Sequence, residues 1–125
     1  MSARFEDALD VEFLDGRTWI VIQSFHYLTD VRIPASQRIE VPAGFQTDFA
    51  SIPRGLWNIL PPTGRYALAA VVHDYLYRTR YRATRAQADR VLLEAMGVLK
   101  VGRWTRWTIY SGVRLGGWAS YKGGL

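Results

Sequence analysis

The sequence predicts an α+β fold in which antiparallel β-strands come first and three helices follow. Up to about Val41, short apolar or alternating segments are separated by turn residues, and this arrangement is typical of strands. From about residue 65 onward, apolar residues instead recur at intervals of three and four, which is the period of an amphipathic helix. The change of period near the middle of the chain is what separates a β-rich half from a helical half.

The bulk composition fits one domain with one core. The chain has 125 residues, and 49% of them are hydrophobic, which is enough for a single hydrophobic core. We therefore expect a single domain, residues 1–125, made of a β-rich part (1–45), a loop with a short helix (46–64), a helical part (65–118) and a flexible tail (119–125).

Charge and cysteine content exclude some classes of site and favour others. The chain contains no cysteine, so disulfides and thiolate metal sites are excluded. The net charge of +5 favours anionic partners such as nucleic acid, phospholipid headgroups or an acidic protein. No apolar run approaches the roughly 20 residues of a membrane span, and the first residues show no secretory signal.

Four strands are predicted in the first half. Residues 11–14 and 18–22 flank Asp15-Gly16, a dipeptide that favours a tight hairpin turn. Residues 25–28 and 38–41 add two further strands, and His26 in the first of them is expected to be structural rather than catalytic.

Helical signals follow an interruption at Pro42-Ala43-Gly44-Phe45. Ser51 is a candidate cap for a short helix over residues 51–57, and a longer helix is predicted from about Arg65 to Tyr81. Thr84-Arg85-Ala86-Gln87 fits a capping box that begins a second long helix, with Gly102 as its stop signal. A third helix from about Trp104 to Trp118 places five residues near one stripe: Trp107, Tyr110, Ser111, Arg114 and Leu115.

A pair of ionisable residues lies on the first two long helices. His73 and Asp89 are equally far in sequence from Tyr81, so they lie at the same height if these helices form an antiparallel hairpin. A carboxylate on one imidazole nitrogen fixes the tautomer and leaves the other nitrogen as a general base. Tyr77 is one turn after His73, where its hydroxyl can hold the Asp89 carboxylate.

Asp74 is rotated by about 100° from His73, so it is expected to point to the preceding loop. There it can bind a hard cation with loop carbonyls, and Asp48 can contribute a second carboxylate. The Arg-rich turn between the helices supplies candidate contacts to phosphate or another anion, and these are Arg78, Arg82 and Arg85. The alternatives stay open: the His–Asp pair can instead lock two helices together, and the arginines can form a solvated, salt-bridged turn.

Several segments in order resemble a family of small uncharacterised proteins from tailed phages and prophages. They are residues 41–54, residues 60–66, Ala69-Ala70-Val71-Val72-His73-Asp74-Tyr75-Leu76-Tyr77, Ala88-Asp89 and residues 113–118. The resemblance implies a phage setting, with a location in the virion, or in the host cytoplasm before assembly, and other phage structural proteins as partners. It implies no reaction.

A narrower resemblance is to the core of bacterial secreted phospholipases A2. It rests on His73-Asp74, Tyr77-Arg78, and then Asp89 and Met96 on a second helix. That resemblance implies that His73 activates a water, that Asp74 binds calcium, and that Tyr77 and Asp89 support the histidine. The glycine-rich calcium loop and the disulfides of those enzymes are absent from this sequence, which weakens the expectation of calcium.

Three functions follow as expectations. The first is a virion- or tail-associated protein whose His–Asp site hydrolyses a host envelope component, phospholipid or peptidoglycan, during entry or lysis. The second is a purely structural tail or neck protein in which the pair is a core lock. The third and weaker alternative is a basic nucleic-acid-binding or regulatory protein.

Overall fold

The structure is a computed structural model that describes residues 3–5, 11–13, 19–33, 37–47, 67–78 and 83–116. Within these ranges, strands precede helices as predicted, and the α+β class is confirmed. The strands are β1 (Arg4–Phe5), β2 (Val11–Phe13), β3 (Trp19–Val21), β4 (Phe25–Leu28), β5 (Arg38–Val41) and β6 (Gln46–Thr47). The helices are α1 (Ala67–Arg78), α2 (Arg85–Val98) and α3 (Arg103–Gly116).

The strands form two antiparallel three-stranded sheets, with the orders β1-β4-β5 and β2-β3-β6. The predicted hairpin is present as the pairing of β2 with β3, in which Glu12 lies opposite Ile20. His26 pairs across the other sheet with Glu40, and its Nε2 lies 3.3 Å from a carboxylate oxygen of Glu40. This cross-strand contact ties β4 to β5, as the structural role expected of His26 requires.

Two short strands were not predicted, because nothing in their local sequence distinguishes them from loops. β1 and β6 have two residues each, and each pairs with a strand distant in sequence. β1 gains its place through Phe5, whose ring packs 4.5 Å from the ring of Tyr27. Such pairings are decided by tertiary contacts rather than by periodicity.

The interruption at Pro42 is a tight turn that connects β5 to β6. The amide of Phe45 donates to the carbonyl of Pro42 at 3.2 Å. Gly44 has a φ of 91°, a left-handed conformation that favours glycine. The turn returns the chain to β3, where the amide of Val21 donates to the carbonyl of Phe45 at 2.9 Å.

The start of α2 confirms the predicted capping box. The hydroxyl of Thr84 accepts from the amide of Gln87, and the side chain of Gln87 accepts from the amide of Thr84. The end of α2 differs from the prediction, because Lys100 rather than a glycine adopts the left-handed conformation, with φ of 63°. The amides of Lys100 and Val101 donate to the carbonyls of Gly97 and Met96, which is a Schellman motif.

A hydrophobic core is shared by strands and helices. It includes Phe25, Tyr27 and Ile39 from the first sheet, and the helices α1 and α2 pack on it with the buried residues Val71, Leu76, Val91, Leu92 and Met96. Buried positions on α2 include Ala88, Leu92, Ala95 and Met96. No helix among the described residues is long and apolar enough to cross a membrane.

α3 is oriented differently from the stripe singled out in the sequence. Its buried residues are Ile109 and Val113, whereas Trp107 and Leu115 are exposed and Tyr110 is half-buried. Ile109 and Val113 are four residues apart and so lie on the same side of α3, whereas Trp104 and Trp107 lie on the exposed side. The tryptophans of α3 are therefore not core residues.

Some predicted features lie outside the described residues. They are the turn at Asp15-Gly16, the short helix over 51–57, both ends of the first long helix (65–66 and 79–81), the end of the third (117–118) and the tail at 119–125. β6 lies at the start of the segment predicted as loop, and the rest of that segment, from residue 48, is outside the described ranges.

Candidate functional site

Asp89 is the centre of a buried polar cluster that joins all three helices, which we call the Asp89 hub (His73, Tyr77, Arg85, Asp89 and Arg114). Its Oδ1 lies 2.8 Å from His73 Nε2 and accepts a hydrogen bond from the Tyr77 hydroxyl. Its Oδ2 accepts from Arg114 Nη1 at 2.8 Å and lies 3.6 Å from Arg85 Nη1. The structure thus brings His73, Tyr77 and Asp89 together as predicted.

The hub follows from the helical hairpin. His73 and Tyr77 are one turn apart on α1, and their rings pack with centroids 4.2 Å apart. The capping box fixes where α2 begins, so Asp89 enters the second turn of α2 on the side that faces α1. Equal distances from the connecting turn then place the imidazole and the carboxylate at the same height.

Complete burial and charge compensation set the chemistry of the carboxylate. Burial on its own raises the pKa of Asp89, but hydrogen bonds from His73, Tyr77 and Arg114 outweigh it and hold that pKa below its ordinary value of 3.8. The carboxylate is therefore ionised at neutral pH. With Asp89 ionised, its Oδ1 can only accept, so the His73 Nε2–H is assigned as the donor.

Tyr77 stays a neutral donor throughout. Burial raises the pKa of its hydroxyl far above the ordinary value, and the hydrogen bond to the Asp89 carboxylate raises it further. Neutral Tyr77 can donate a proton into a hydrogen bond, but it does not serve as a base at physiological pH.

Two arginines complete the hub. Arg85 was predicted as an anion contact, but its guanidinium donates to the carbonyls of Val113 and Arg114, at 3.2 and 3.1 Å, in the last turn of α3. There a cation compensates the carbonyl end of the helix. Arg114 was placed in a stripe of α3 without a role, and no local sequence signal connects it to Asp89, 25 residues earlier.

Asp74 lies on another side of α1, as its rotation predicted. It is fully buried, and its Oδ2 accepts from the Thr47 hydroxyl of β6 at 2.5 Å and lies 3.5 Å from Arg78 Nη1. Arg78 also donates to the carbonyl of Gln46 at 3.2 Å. Asp74 therefore ties α1 to the second sheet.

Asp74 was predicted to bind calcium, and its described contacts are with Thr47 and Arg78. A guanidinium beside Asp74 repels a second cation, and among the described residues no three His, Asp or Glu side chains form a metal-binding group. Asp48, the second predicted ligand, lies outside the described residues, so the calcium prediction stays a prediction.

The predicted anion contacts have internal roles where they are described. Arg78 engages Asp74, and Arg85 engages the end of α3, whereas Arg82 lies outside the described residues. Contact between these arginines and phosphate also stays a prediction.

A second carboxylate cluster was missed in the sequence, and we call it the Glu94 cluster (Tyr27, Thr29, Asp30 and Glu94). Glu94 Oε1 accepts from the hydroxyls of Tyr27 and Thr29, both at 2.7 Å, and Oε2 accepts from the amide of Asp30 at 3.0 Å. Burial, followed by the hydrogen bond to Glu94, raises the pKa of Tyr27 far above its ordinary value. A surface pocket beside this cluster is lined by Asp30, Arg32, Ile33, Gln37 and Gln87, and none of these residues belongs to the Asp89 hub.

Comparisons with known proteins place this arrangement in a family without assigned chemistry. Residues 19–113 match a family described as protein of unknown function DUF1353. The uncharacterized protein y4jT of Sinorhizobium fredii (strain NBRC 101917 / NGR234) is 41% identical over 51 residues, which cover 39% of this chain and 15% of that protein. No solved structure matches the chain. The family match includes strands β3 to β6, helices α1 and α2, and all but the last three residues of α3, and the chain belongs to the DUF1353 family.

Proposed function

We propose that this chain is a structural component of a tailed-phage particle, at the tail or baseplate, and that the Asp89 hub is the lock that holds its three helices together. The observation that supports the lock is the complete burial of His73, Tyr77 and Asp89, with the carboxylate engaged by donors from α1 and α3. The phage setting is supported by the sequence resemblance to proteins of tailed phages and prophages. Its partners would then be other structural proteins of the particle.

Burial is what favours a lock over a catalytic dyad. A general base must come within hydrogen-bond reach of its substrate or of a water. The side chains of His73 and Asp89 are both 0% exposed, so a substrate reaches the imidazole only if a covering segment moves. The guanidinium of Arg114 also shares the carboxylate, which leaves Asp89 less negative charge to offer an imidazolium.

Cooperative hydrogen bonding makes the lock effective. A buried carboxylate without donors is strongly destabilising, whereas one with its oxygens satisfied holds its partners in one geometry. Asp89 touches a residue of each of the three helices. The hub therefore fixes how α1 and α3 sit on α2.

A second candidate function is favoured by one specific observation. The 2.8 Å contact between His73 Nε2 and Asp89 Oδ1, supported by Tyr77, is the geometry of a general-base dyad in which Nδ1 accepts a proton from water. In this alternative the chain hydrolyses an ester of a host envelope phospholipid, as the phospholipase A2 resemblance implies.

The two candidates are separated by His73→Gln, tested with Tyr77→Phe as the matched hub control. In the lock, both variants lower the free energy of unfolding, and the wild-type protein releases no fatty acid from phospholipid vesicles with or without calcium. Turnover by the wild type that disappears in folded His73→Gln but survives in Tyr77→Phe would overturn the lock in favour of the hydrolase. The structural role in the particle is tested by mass spectrometry of purified phage particles from a phage or prophage that encodes the chain, where absence of the protein would exclude it.

A further inference from the structure

The outward face of α3 exposes three large apolar side chains, with the exposed Ser111 among them, although the helix already buries its opposite face. Trp104, Trp107 and Leu115 are 86%, 48% and 82% exposed, and we call these three residues the α3 outer face. At about 100° per residue they fall within about 80° of arc, roughly opposite the buried Ile109 and Val113. Trp104 and Leu115 are about 16 Å apart along the helix, at a rise of 1.5 Å per residue. α3 therefore presents large apolar side chains on two faces, and the protein itself covers one of these faces.

All of the net charge lies in the part of the chain that contains this helix. Residues 1–94 hold eleven basic and eleven acidic residues, which cancel, and residues 95–125 hold no acidic residue. The last part therefore carries the entire +5, from Lys100, Arg103, Arg106, Arg114 and Lys122. Arg106 and Arg114 donate to Val101 and Asp89, whereas the exposed Lys100 and Arg103 lie directly before Trp104.

Lys100 adds an independent indication that positive charge at this end of α3 has a use. It occupies the left-handed position of a Schellman motif, with φ of 63°, where glycine carries no strain. A lysine at that position costs stability, and it is exposed three residues before the exposed Arg103. The retained strain motivates the hypothesis that this ammonium has a role outside the fold.

We propose that the α3 outer face docks onto an anionic phospholipid surface, with the tryptophans and Leu115 at the headgroup boundary and with Lys100 and Arg103 on the lipid phosphates. Tryptophan and aliphatic side chains flanked by cations are the combination that an interfacial helix uses.

A second copy of this chain is disfavoured as the occupant, because its face would bring the same positive charge. Single-stranded nucleic acid would use the indoles and cations but not the aliphatic Leu115. With 14 residues, α3 lies on a bilayer rather than spanning it. The contact is independent of whether the hub is a lock or a dyad.

The test is co-flotation of the full chain with vesicles of phosphatidylcholine alone and with vesicles rich in phosphatidylglycerol. We expect binding to the anionic vesicles with a blue shift of tryptophan emission, weak binding to the neutral vesicles, and loss of binding at about 1 M salt, where the Debye length is about 3 Å. Trp104→Ser with Trp107→Ser should weaken binding by at least about tenfold. Leu115→Ser, which exchanges one smaller side chain, gives a second and milder test of the same face.

Matched controls separate the face from general charge and hydrophobicity. Arg103→Gln should weaken binding by about fivefold, whereas Arg4→Gln, an exposed arginine on β1, removes the same charge and should leave affinity unchanged. Ile22→Ser, which alters another exposed apolar residue, should also have no effect. Lys100→Gly should raise the melting temperature and yet weaken binding, a combination that a merely structural role does not produce.

Several outcomes would overturn the proposal. They are equal binding to neutral vesicles, unchanged binding by the folded tryptophan variant, retardation of single-stranded DNA in place of vesicle binding, and a dimer in solution that Leu115→Ser dissociates. Virion mass spectrometry and phospholipid turnover are separate readouts, so failure of the membrane contact and failure of the proposed structural role are distinguishable.

Discussion

α2 carries two carboxylates, Asp89 and Glu94, that bind neighbouring elements on different sides of the helix and have different hydrogen-bond partners. On one side Asp89 accepts from His73, Tyr77 and Arg114 and joins the three helices. On another side, about 140° around the helix at five residues' separation, Glu94 accepts two hydroxyls and one amide from β4 and the residues after it. Both carboxylates accept from a buried tyrosine. Of these two clusters, the Asp89 hub includes arginines among the described partners of its carboxylate, and the Glu94 cluster does not.

The two clusters differ in the charge of the groups that lose their acceptor when the carboxylate is removed. Around Asp89, two guanidinium groups would lose their counter-charge, and a buried charge without a partner is costly. Around Glu94, the stranded groups are neutral donors, which cost less. Loss of the Asp89 carboxylate should therefore destabilise the protein more than loss of the Glu94 carboxylate.

The largest effect is expected for Asp89→Asn, which keeps the shape and removes the charge. We expect the free energy of unfolding to fall by about 3 kcal/mol, at the lower end of the range for breaking a buried pair because both arginines retain some contact with water. Urea denaturation measures it. A loss equal to that of the corresponding change at Glu94 would show that the arginines do not distinguish the two clusters.

The corresponding change, Glu94→Gln, should cost about 2 kcal/mol. Its amide oxygen can still accept from the hydroxyls of Tyr27 and Thr29, but its amide nitrogen then faces the N–H of Asp30. The same urea titration measures this loss. A cost above that of Asp89→Asn would reverse the order predicted from charge.

The two tyrosines give a smaller and more symmetrical comparison. Tyr77→Phe and Tyr27→Phe each delete one hydroxyl that donates to a carboxylate, and each should cost about 1.5 kcal/mol because the carboxylate keeps its other donors. Equal losses would assign the difference between the clusters to the arginines. A much larger loss for Tyr77→Phe would assign it to the hydroxyl instead.

The smallest expected effect is that of pH on the free energy of unfolding. It is small near neutral pH and larger at acid and alkaline pH. Because the pKa of folded Asp89 is below its ordinary 3.8, its contribution is full above that value and is lost as pH falls through the folded pKa. Because the pKa values of Tyr77 and Tyr27 are raised above 10.0, their contribution is full below pH 10 and declines above it, as the unfolded chain releases protons first.

Unfolding measured across pH checks these signs with the variants as controls. Asp89→Asn should flatten the acid limb, and either tyrosine variant should flatten the alkaline limb. An unchanged acid limb in Asp89→Asn would contradict the lowered pKa of Asp89.

The local sequence predicts the contacts of the Asp89 hub that are made within the α1–α2 hairpin. A capping box, a 3.6-residue period and equal distances from one turn bring His73, Tyr77 and Asp89 together, because helix geometry is nearly fixed per residue. The α+β class follows for the same reason, since the period of the apolar residues reports the type of element directly.

The long-range contacts of both clusters depend on the tertiary structure. Arg114 is 25 residues from Asp89, and Glu94 is 67 residues from Tyr27. No periodic pattern in the sequence predicts contacts at these separations. The two-residue strands depend on partners of the same kind. Packing also decided which face of α3 is buried, because Ile109 and Val113 are buried whereas Trp107 and Leu115 are exposed.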